Sequence, residues 1–311
     1  MRLSRMFGIA CVIGNLAGAA CSTEPESSAP SSKNSGKKLG NPKLVTQESG
    51  NATKEAADNP FENTSGKAAN SGGPAPATPN SWCATAAKSE IVKSPKHAEQ
   101  FAQLCTASGT ATQRFIDLLK QPYQGTGTPA AAEITPIAAS NGQVSAFMGS
   151  SMKLPINSEK HFTVVAPKEG EVENQKAQAS FQGQTPGKIV VTALPKGTDT
   201  GWERGWRIDH EGSQKVSVMT IKIVYSDNAE HYNLGNGHYM YVSTLVDSKS
   251  TIRDYRILSA MIDIEGKAHI VTIANVTGDD YGAPASAKTS VTNTLSRTLQ
   301  FIYNGALAAS K

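Results

Sequence analysis

The sequence lacks the short motifs that mark the common classes of enzyme. It contains no G-x-S-x-G, no H-E-x-x-H, no phosphate-cradling glycine loop, and no S-x-x-K followed by its usual partners. The usual sequence evidence for a hydrolase, a metalloprotease or a nucleotide-binding enzyme is therefore missing. Lysine and arginine do not occur in runs, and the net charge is only +4. The composition thus gives no indication of nucleic-acid binding.

Long hydrophobic runs are also scarce. Residues 6–16 form a mostly apolar stretch, which is too short to cross a bilayer core that needs about twenty residues. Arg2 and Arg5 precede it, and the small residues 17–20 follow it. A positive start, a short apolar run and a small-residue end are typical of an export signal. We therefore expect residues 1–20 to be a signal peptide.

The end of this signal, Gly18-Ala19-Ala20-Cys21, resembles the lipobox of bacterial lipoproteins. The family usually has leucine three residues before the cysteine, where this chain has Gly18. The resemblance implies lipid attachment, including palmitate, at Cys21 and a place in the cell envelope, on the outer membrane if the cell has two membranes. The alternative is an ordinary secretory signal cut after residues 17–19, which would give a secreted protein.

Residues 21–80 are dominated by Ser, Ala, Gly, Asn, Pro and Lys, with few large apolar side chains. Such a segment cannot bury enough surface to offset the entropy of ordering it. We therefore expect a disordered tether that lifts a folded domain away from a membrane.

Cysteine is the next scarce residue, with four in the chain. Cys11 leaves with the predicted signal and Cys21 is the lipidation site, so Cys83 and Cys105 remain. In an exported protein this pair predicts a disulfide. A two-cysteine metal site, with His97 as the nearest histidine, is the competing interpretation.

The folded part divides into three predicted regions. Residues 81–125 read as a pair of short helices that hold the disulfide, with Ser94-Pro95 at the start of the first and 110–121 as the second. Residues 126–157 read as a loop-rich connection, with 149–155 loop-like. Residues 158–311 read as an α+β domain with six period-two segments: 161–166, 188–194, 215–226, 238–247, 252–264 and 267–276.

The last part of the chain predicts the architecture. Glu265-Gly266 has the length of a tight hairpin turn, so the final four strands read as an antiparallel meander. A long helix from Pro284 should cover it, since an apolar face recurs along this segment. That face consists of Val291, Leu295, Leu299, Ile302 and Ala306. This order of elements resembles the helix-grip proteins related to START domains and the Mog1/PsbP-like proteins.

Two groups of residues are candidates for a site. Trp202 and Trp206 could line a pocket mouth, and His210 with Asp209 or Glu211 could transfer protons. The alternative places the tryptophans at the end of the core and the charged residues in a solvated turn.

A second group could bind metal. Of His231, His238 and His269, the last two lie on predicted strands of one sheet, but the three lack ligand spacing. Asp279-Asp280 could bind Ca²⁺ through oxygen ligands, but they read better as turn residues ahead of the final helix. We therefore predict no metal and no cofactor.

Three functions are compatible with these features. The first is a membrane-tethered envelope lipoprotein whose α+β domain binds a hydrophobic small molecule or an envelope protein without catalysis. The second is a hydrolase-like enzyme that uses His210. The third is a structural surface protein, for which the long low-complexity arm is the evidence.

Overall fold

The computed structural model describes residues 77–126, 135–138, 143–216, 219–250, 252–279 and 284–311. Cys21 and nearly all of the predicted signal and tether lie outside these ranges. The helices within them are α1 (Pro79–Ala86), α2 (Ala98–Leu104), α3 (Gln113–Lys120), α4 (Ser158–Lys160), α5 (Val172–Phe181) and α6 (Pro284–Ser310). A π-helical turn (His161–Val165) and a 3₁₀ turn (Ala166–Gly170) continue α4, and another 3₁₀ turn (Ile91–Lys93) precedes α2.

The strands form one antiparallel sheet. They are β1 (Thr135–Ala138), β2 (Gln143–Lys153), β3 (Thr185–Ala193), β4 (Trp202–Val216), β5 (Met219–Gly235), β6 (His238–Ser248), β7 (Ile252–Ile264) and β8 (Lys267–Asp279). Their spatial order is β1-β2-β8-β7-β6-β5-β4-β3. The predicted meander of the last four strands is confirmed, and so is the α+β fold class.

Tight turns set the register of this meander. Asn236 and Gly237 have φ values of 52° and 75°, and Glu265 and Gly266 have φ values of 53° and 71°. Two consecutive residues with positive φ are the signature of a two-residue hairpin turn whose twist matches that of the flanking strands. The predicted turn at Glu265-Gly266 is therefore confirmed.

The inner face of the sheet, defined as the face that carries Met152, Met261 and Ile270, packs against helix α6. Leu299 and Ala306 of α6 are 3% and 0% exposed in this core, and Phe162 from the π-helical turn joins it. The long C-terminal helix therefore covers the meander as predicted. The side chains of Val291 and Leu295 lie outside the described part of the chain.

Helices α1, α2 and α3 cover the opposite, outer face of the sheet. Cys83 and Cys105 form a disulfide with a Cα–Cα distance of 5.6 Å, which confirms the predicted pairing. Trp82 is fully buried beside Phe115, and its Nε1 donates to the carbonyl of Tyr239 over 2.9 Å. The clipped helices are therefore a second layer on the sheet, and α1 begins two residues before the predicted boundary at residue 81.

The predicted loop-like segment at residues 149–155 is wrong, because most of it belongs to strand β2. Gly149 and its serine neighbours have no strand propensity of their own, and this misled the sequence reading. The small side chain has a packing reason. A Cβ at Gly149 would lie 3.3 Å from Leu118 Cδ1 of α3, so glycine lets that helix approach the strand closely.

The predicted strand at residues 161–166 is also wrong, since this segment is helical. Asn157 caps the start of α4 by accepting a hydrogen bond from the Lys160 amide over 2.8 Å, which commits the backbone to a helix. His161 and Phe162 then point into the core from the helix. Burial of these side chains outweighs the β propensity of the run.

The predicted strand at residues 215–226 is in fact the junction of two strands. Strand β4 extends back to Trp202 and β5 extends forward to Gly235, and each pairs with the other over most of its length. The charged residues between 203 and 211 made this region resemble a turn. They lie instead on strand β4, which is next to the edge strand β3.

Candidate functional site

A cavity of about 360 Å³ lies between the inner face of the sheet, the helical segment 158–181 and helix α6. Most of its walls are aliphatic, sulfur-containing or aromatic. These apolar lining residues include Met152, Phe162, Val165, Phe181, Ile208, Ile257, Met261, Ile270, Leu299, Phe301 and Ile302. A concave and mainly apolar space of this size falls within the range of small-molecule sites, about 300 to 1,000 Å³.

The π-helical turn gives the cavity one of its walls. It widens the helix where His161 and Phe162 face inward, and single π-helical turns are often found at functional sites. Phe162 stacks on Tyr239 with ring centroids 4.5 Å apart, and the Arg204 guanidinium lies 4.4 Å above the Phe162 ring. These contacts hold the helical wall against strands β4 and β6.

Polar side chains cross the cavity floor in a single row, which we call the polar row. Register pairs Ser150 of β2 with Thr272 of β8, and Thr272 with Ser259 of β7. Ser259 pairs in turn with Tyr241 of β6, and Tyr241 with His231 of β5. All five side chains line the cavity.

One end of the polar row carries an imidazole–carboxylate pair. His231 Nε2 lies 2.6 Å from Glu169 Oε2, and the His231 side chain is 4% exposed. Tyr241 and Trp206 pack edge-on against the imidazole, with centroids 4.9 and 5.2 Å away. This pair places polar atoms capable of hydrogen bonding at the cavity wall.

The helical segment that supplies Glu169 carries two further side chains with unused hydrogen-bonding capacity. Among the described residues, neither His161 Nδ1 nor Gln175 Oε1 has a hydrogen-bond partner, although both residues are buried and line the cavity. Burial, with a smaller effect of nearby His231, lowers the pKa of His161 to about 3. The imidazole is therefore neutral at physiological pH.

The predicted proton-transfer group does not assemble as expected. His210 is 7% exposed and faces inward, where its ring stacks on Tyr225 at 4.4 Å. Successive strand residues face opposite sides of a sheet, so Asp209 and Glu211 point away from it. Asp209 instead pairs with Arg207 at 3.1 Å, and Glu211 with Lys222 at 3.1 Å.

The carboxylate nearest to His210 comes from another strand. Asp227 Oδ1 lies 3.4 Å from His210 Nε2, and the Asp227 side chain is fully buried. The Ser243 hydroxyl donates to Asp227 Oδ2 over 3.2 Å. This group lies beside the cavity rather than in its lining.

The two candidate tryptophans are in different places. Trp206 contacts His231 and lies beside the cavity without being part of its lining. Trp202 packs with the outer-face cluster, and its Nε1 donates to Glu230 Oε2 over 3.1 Å. The two rings do not form a common pocket mouth.

The histidines are also separated. His231 is on the inner face, whereas His238 and His269 lie on strands β6 and β8 with β7 between them, about 10 Å apart. Asp280 and the Asp279 side chain lie outside the described residues. No group of three metal-binding side chains occurs in the described part of the chain. Nor does any helix there have the length and apolarity to span a membrane.

Sequence reasoning missed Glu169, His161 and the polar row. Ser150, Thr272 and Ser259 occupy inward strand positions, where the period-two pattern predicts apolar residues. These interruptions of the pattern were the signal that the sequence offered. Glu169 gave no signal, because it lies in an irregular helical turn.

No family model matches the sequence, and no curated protein matches it. Solved structures are similar at low identity. The chain aligns with the STAR-related lipid transfer protein from Xanthomonas axonopodis at 11% identity and a TM-score of 0.36, over 56% of this chain and 98% of that one. It aligns with the human StarD13 lipid transfer and protein localization domain at 10% identity and a TM-score of 0.34, over 55% of this chain and 88% of that one. A protein from Thermus thermophilus aligns at 11% identity and a TM-score of 0.35, over 53% of this chain and 99% of that one.

Proposed function

We propose that this domain binds an apolar small molecule in the cavity between its sheet and helix α6, without catalysing a reaction on it. The observation that carries this proposal is the cavity itself. Its walls are mainly Met, Ile, Leu and Phe side chains in an otherwise packed core. Protein interiors rarely leave space larger than a water molecule, so a space of this size has a physical reason to be filled.

The energetics favour an apolar occupant. Each square ångström of apolar surface removed from water contributes about 25 cal/mol. A ligand in the cavity would remove from water both its own apolar surface and that of the cavity wall. Water can bond the polar groups of the lining, but it gains no hydrogen bond from the aliphatic and aromatic walls that make up most of the cavity surface.

The absence of catalysis is also part of the proposal. His210, the histidine expected to act as general base, is packed beside Tyr225 and Asp227 rather than in the cavity lining. The Glu169–His231 pair does line the cavity, but no serine or threonine hydroxyl is within hydrogen-bond distance of His231 among the described contacts. A nucleophile activated by a base requires such a contact.

A lipid on Cys21 and the tether of residues 21–80 would keep the domain at a membrane of the cell envelope. Support for this comes from the charge, the apolar run and the small residues of 1–20 and from the composition of 21–80. Such an arrangement gives a binding domain access to apolar molecules that partition into the membrane.

Blocking the cavity tests the binding proposal. Gly305 lines the cavity on α6, and a Cβ there would meet only Val165 Cγ1 at 3.5 Å. Gly305→Phe therefore directs a ring toward the space, while Ala308→Phe places the same ring on the exposed side of the helix.

The readout is the fluorescence of N-phenyl-naphthylamine, an apolar dye, titrated into the full chain. We expect the wild type and Ala308→Phe to bind the dye alike, and Gly305→Phe to lose at least about tenfold in affinity. Equal dye binding by all three proteins would rule out the cavity as the site. Circular dichroism checks that both variants are folded.

The anchor is tested separately with Cys21→Ser in the native host. We expect the wild type to partition into the detergent phase of a cloud-point extraction and the variant to remain in the aqueous phase. Equal partitioning of the two would favour the secreted or structural alternatives.

A further inference from the structure

The polar row is an unusual feature in the floor of an apolar cavity. It is flanked on one side by Ala274 and Ile257, and on the other by Met152, Ile270 and Met261, all on the inner face. Ser150, Thr272 and Ser259 are only 7 to 8% exposed. Burying hydroxyl groups costs free energy unless they find hydrogen-bond partners.

The described hydrogen bonds leave part of this row unused. Ser259 and Thr272 share one hydrogen bond at 2.8 Å, which consumes one of their two hydroxyl protons. No hydrogen bond to the Ser150 hydroxyl occurs among the described residues. Each hydroxyl can donate once and accept twice, so these three groups retain donors and acceptors that face the cavity.

The dimensions of the row follow from the sheet. Neighbouring strands are about 4.8 Å apart, so the row from Ser150 to Tyr241 covers three spacings, or roughly 14 Å. His231 and Glu169 extend it by one further strand. The unused hydrogen-bonding atoms of His161 and Gln175 lie in the same cavity.

We propose that the ligand is an elongated, uncharged, mainly apolar molecule that carries hydroxyl or carbonyl oxygens along one edge, and that this edge lies on the polar row. This inference rests on the proposed binding function and specifies its ligand class. Apolar rows on both sides of the hydroxyls match a molecule whose oxygens are confined to one edge.

The charge state of the cavity supports an uncharged ligand. Glu169 is already paired with His231, and Lys168 is the other charged lining residue. Burial keeps His161 neutral. A free carboxylate or ammonium on the Ser150, Thr272 and Ser259 part of the row would meet hydroxyl groups, which do not compensate the loss of hydration of a charge.

The test uses two probes of one chain length, decanol and the α,ω-diol of decane. The hydroxyl groups of the diol are separated by about the length of the row from Ser150 to Tyr241. Each probe is titrated against dye-loaded full-length protein to give its dissociation constant. One hydroxyl can use the Tyr241 and His231 end, and only the diol has a second hydroxyl for the Ser150 end.

The key variant is the triple substitution Ser150→Ala, Ser259→Ala and Thr272→Val, which removes the hydroxyls while conserving shape. Replacing both members of the Ser259–Thr272 bond leaves no orphaned partner, so the fold should tolerate the change. The matched control is Ser145→Ala with Thr277→Val. That pair shares a 2.7 Å hydrogen bond between β2 and β8, the strands that carry Ser150 and Thr272, and does not line the cavity.

We expect the ratio of the diol constant to the decanol constant to rise at least about tenfold in the triple variant and to stay unchanged in the control. An unchanged ratio, with both probes still displacing the dye, overturns this inference and leaves the proposed function standing. Failure of the dye and both probes to bind the wild type overturns the proposed function. If the triple variant does not fold, Ser150→Ala alone gives the same comparison.

Discussion

Glu169 and His231 are 62 positions apart in the chain, and their side chains meet at 2.6 Å across the cavity wall. The carboxylate comes from the irregular helical segment and the imidazole from strand β5. The pair therefore joins the helical wall to the sheet. Because His231 is almost fully buried, it depends on Glu169 as a partner in the folded state.

Glu169→Ala should destabilise the protein by about 1 to 3 kcal/mol, because it leaves the buried His231 nitrogen without its partner. The measurement is the free energy of unfolding in urea. Glu173→Ala is the matched control, since Glu173 is 82% exposed and its contact is an ion pair with Lys176. Such surface pairs contribute at most about 1 kcal/mol. Equal losses in the two variants would contradict a structural role for the pair.

Gly305→Ala should stabilise the protein by about 0.5 to 1 kcal/mol, because glycine within a helix costs that much relative to alanine. The space exists, since the nearest atom to a Cβ at this position is 3.5 Å away. The midpoint of thermal unfolding measures this change.

Gly237→Ala should instead destabilise the protein, because Gly237 has a φ of 75° in a hairpin turn, where alanine is strained.

Asp199, in the loop between β3 and β4, binds the segment that follows helix α1. Its carboxylate accepts hydrogen bonds from the Ser89 hydroxyl and from the amides of Glu90 and Ile91 at 2.6 to 2.9 Å. Partial burial alone raises the pKa of Asp199, but these hydrogen bonds outweigh it and lower the pKa below its usual range.

Asp199→Ala should therefore lower the free energy of unfolding by about 1 to 3 kcal/mol. The urea midpoint gives the value. Asp247→Ala, at an exposed position near the end of β6, should stay within about 0.5 kcal/mol of the wild type. Increased proteolysis near residues 86–97 in the Asp199 variant would locate the loosened part.

Stability should fall as the pH is lowered from about 6.5 to about 4. Burial lowers the pKa of both His97 and His269 to about 4 and that of His161 to about 3; Arg256 and Lys96 add to the effect at His97, and Lys153 adds to it at His269. The unfolded chain binds these protons near pH 6.5 and the folded chain does not. Protons therefore favour the unfolded state throughout this window.

Each of these histidines should contribute a slope of about 1 kcal/mol per pH unit within the window. Urea unfolding at pH 7, 5.5 and 4.5 measures it. In His97→Gln one titrating group is gone, while an amide can still bond Thr244, which lies 2.8 Å from His97 Nε2. The pH dependence of the free energy of unfolding should therefore weaken by about 1 kcal/mol per pH unit, the contribution of one titrating histidine. An unchanged slope would exclude His97 from the effect.

The local features of this fold could be predicted from the sequence. Strand β7 has the predicted bounds, β6 and β8 differ from theirs only at the C-terminal end, and the turn at Glu265-Gly266 is where its residues indicate. In these strands apolar and polar residues alternate clearly, and the turn between β7 and β8 requires two residues with positive φ. The Cys83–Cys105 pairing could be inferred because two cysteines remained for it.

The errors lie where tertiary packing outweighs local preference. The period-two run at 161–166 is helical because burial of His161 and Phe162 in the core outweighs its β propensity. The small residues around Gly149 became a strand because helix α3 needs a close approach there.

The sequence by itself determined what local patterns and the small number of cysteines fix: the turn at Glu265-Gly266, the final helix and the Cys83–Cys105 disulfide. Only the tertiary structure decided the cavity, the Glu169–His231 pair and the polar row, because their members come from strands and helices far apart in the chain. Register across five strands aligns Ser150, Thr272, Ser259, Tyr241 and His231. The physical reason is that side-chain alternation assigns a residue to a face, whereas only strand pairing assigns it a neighbour.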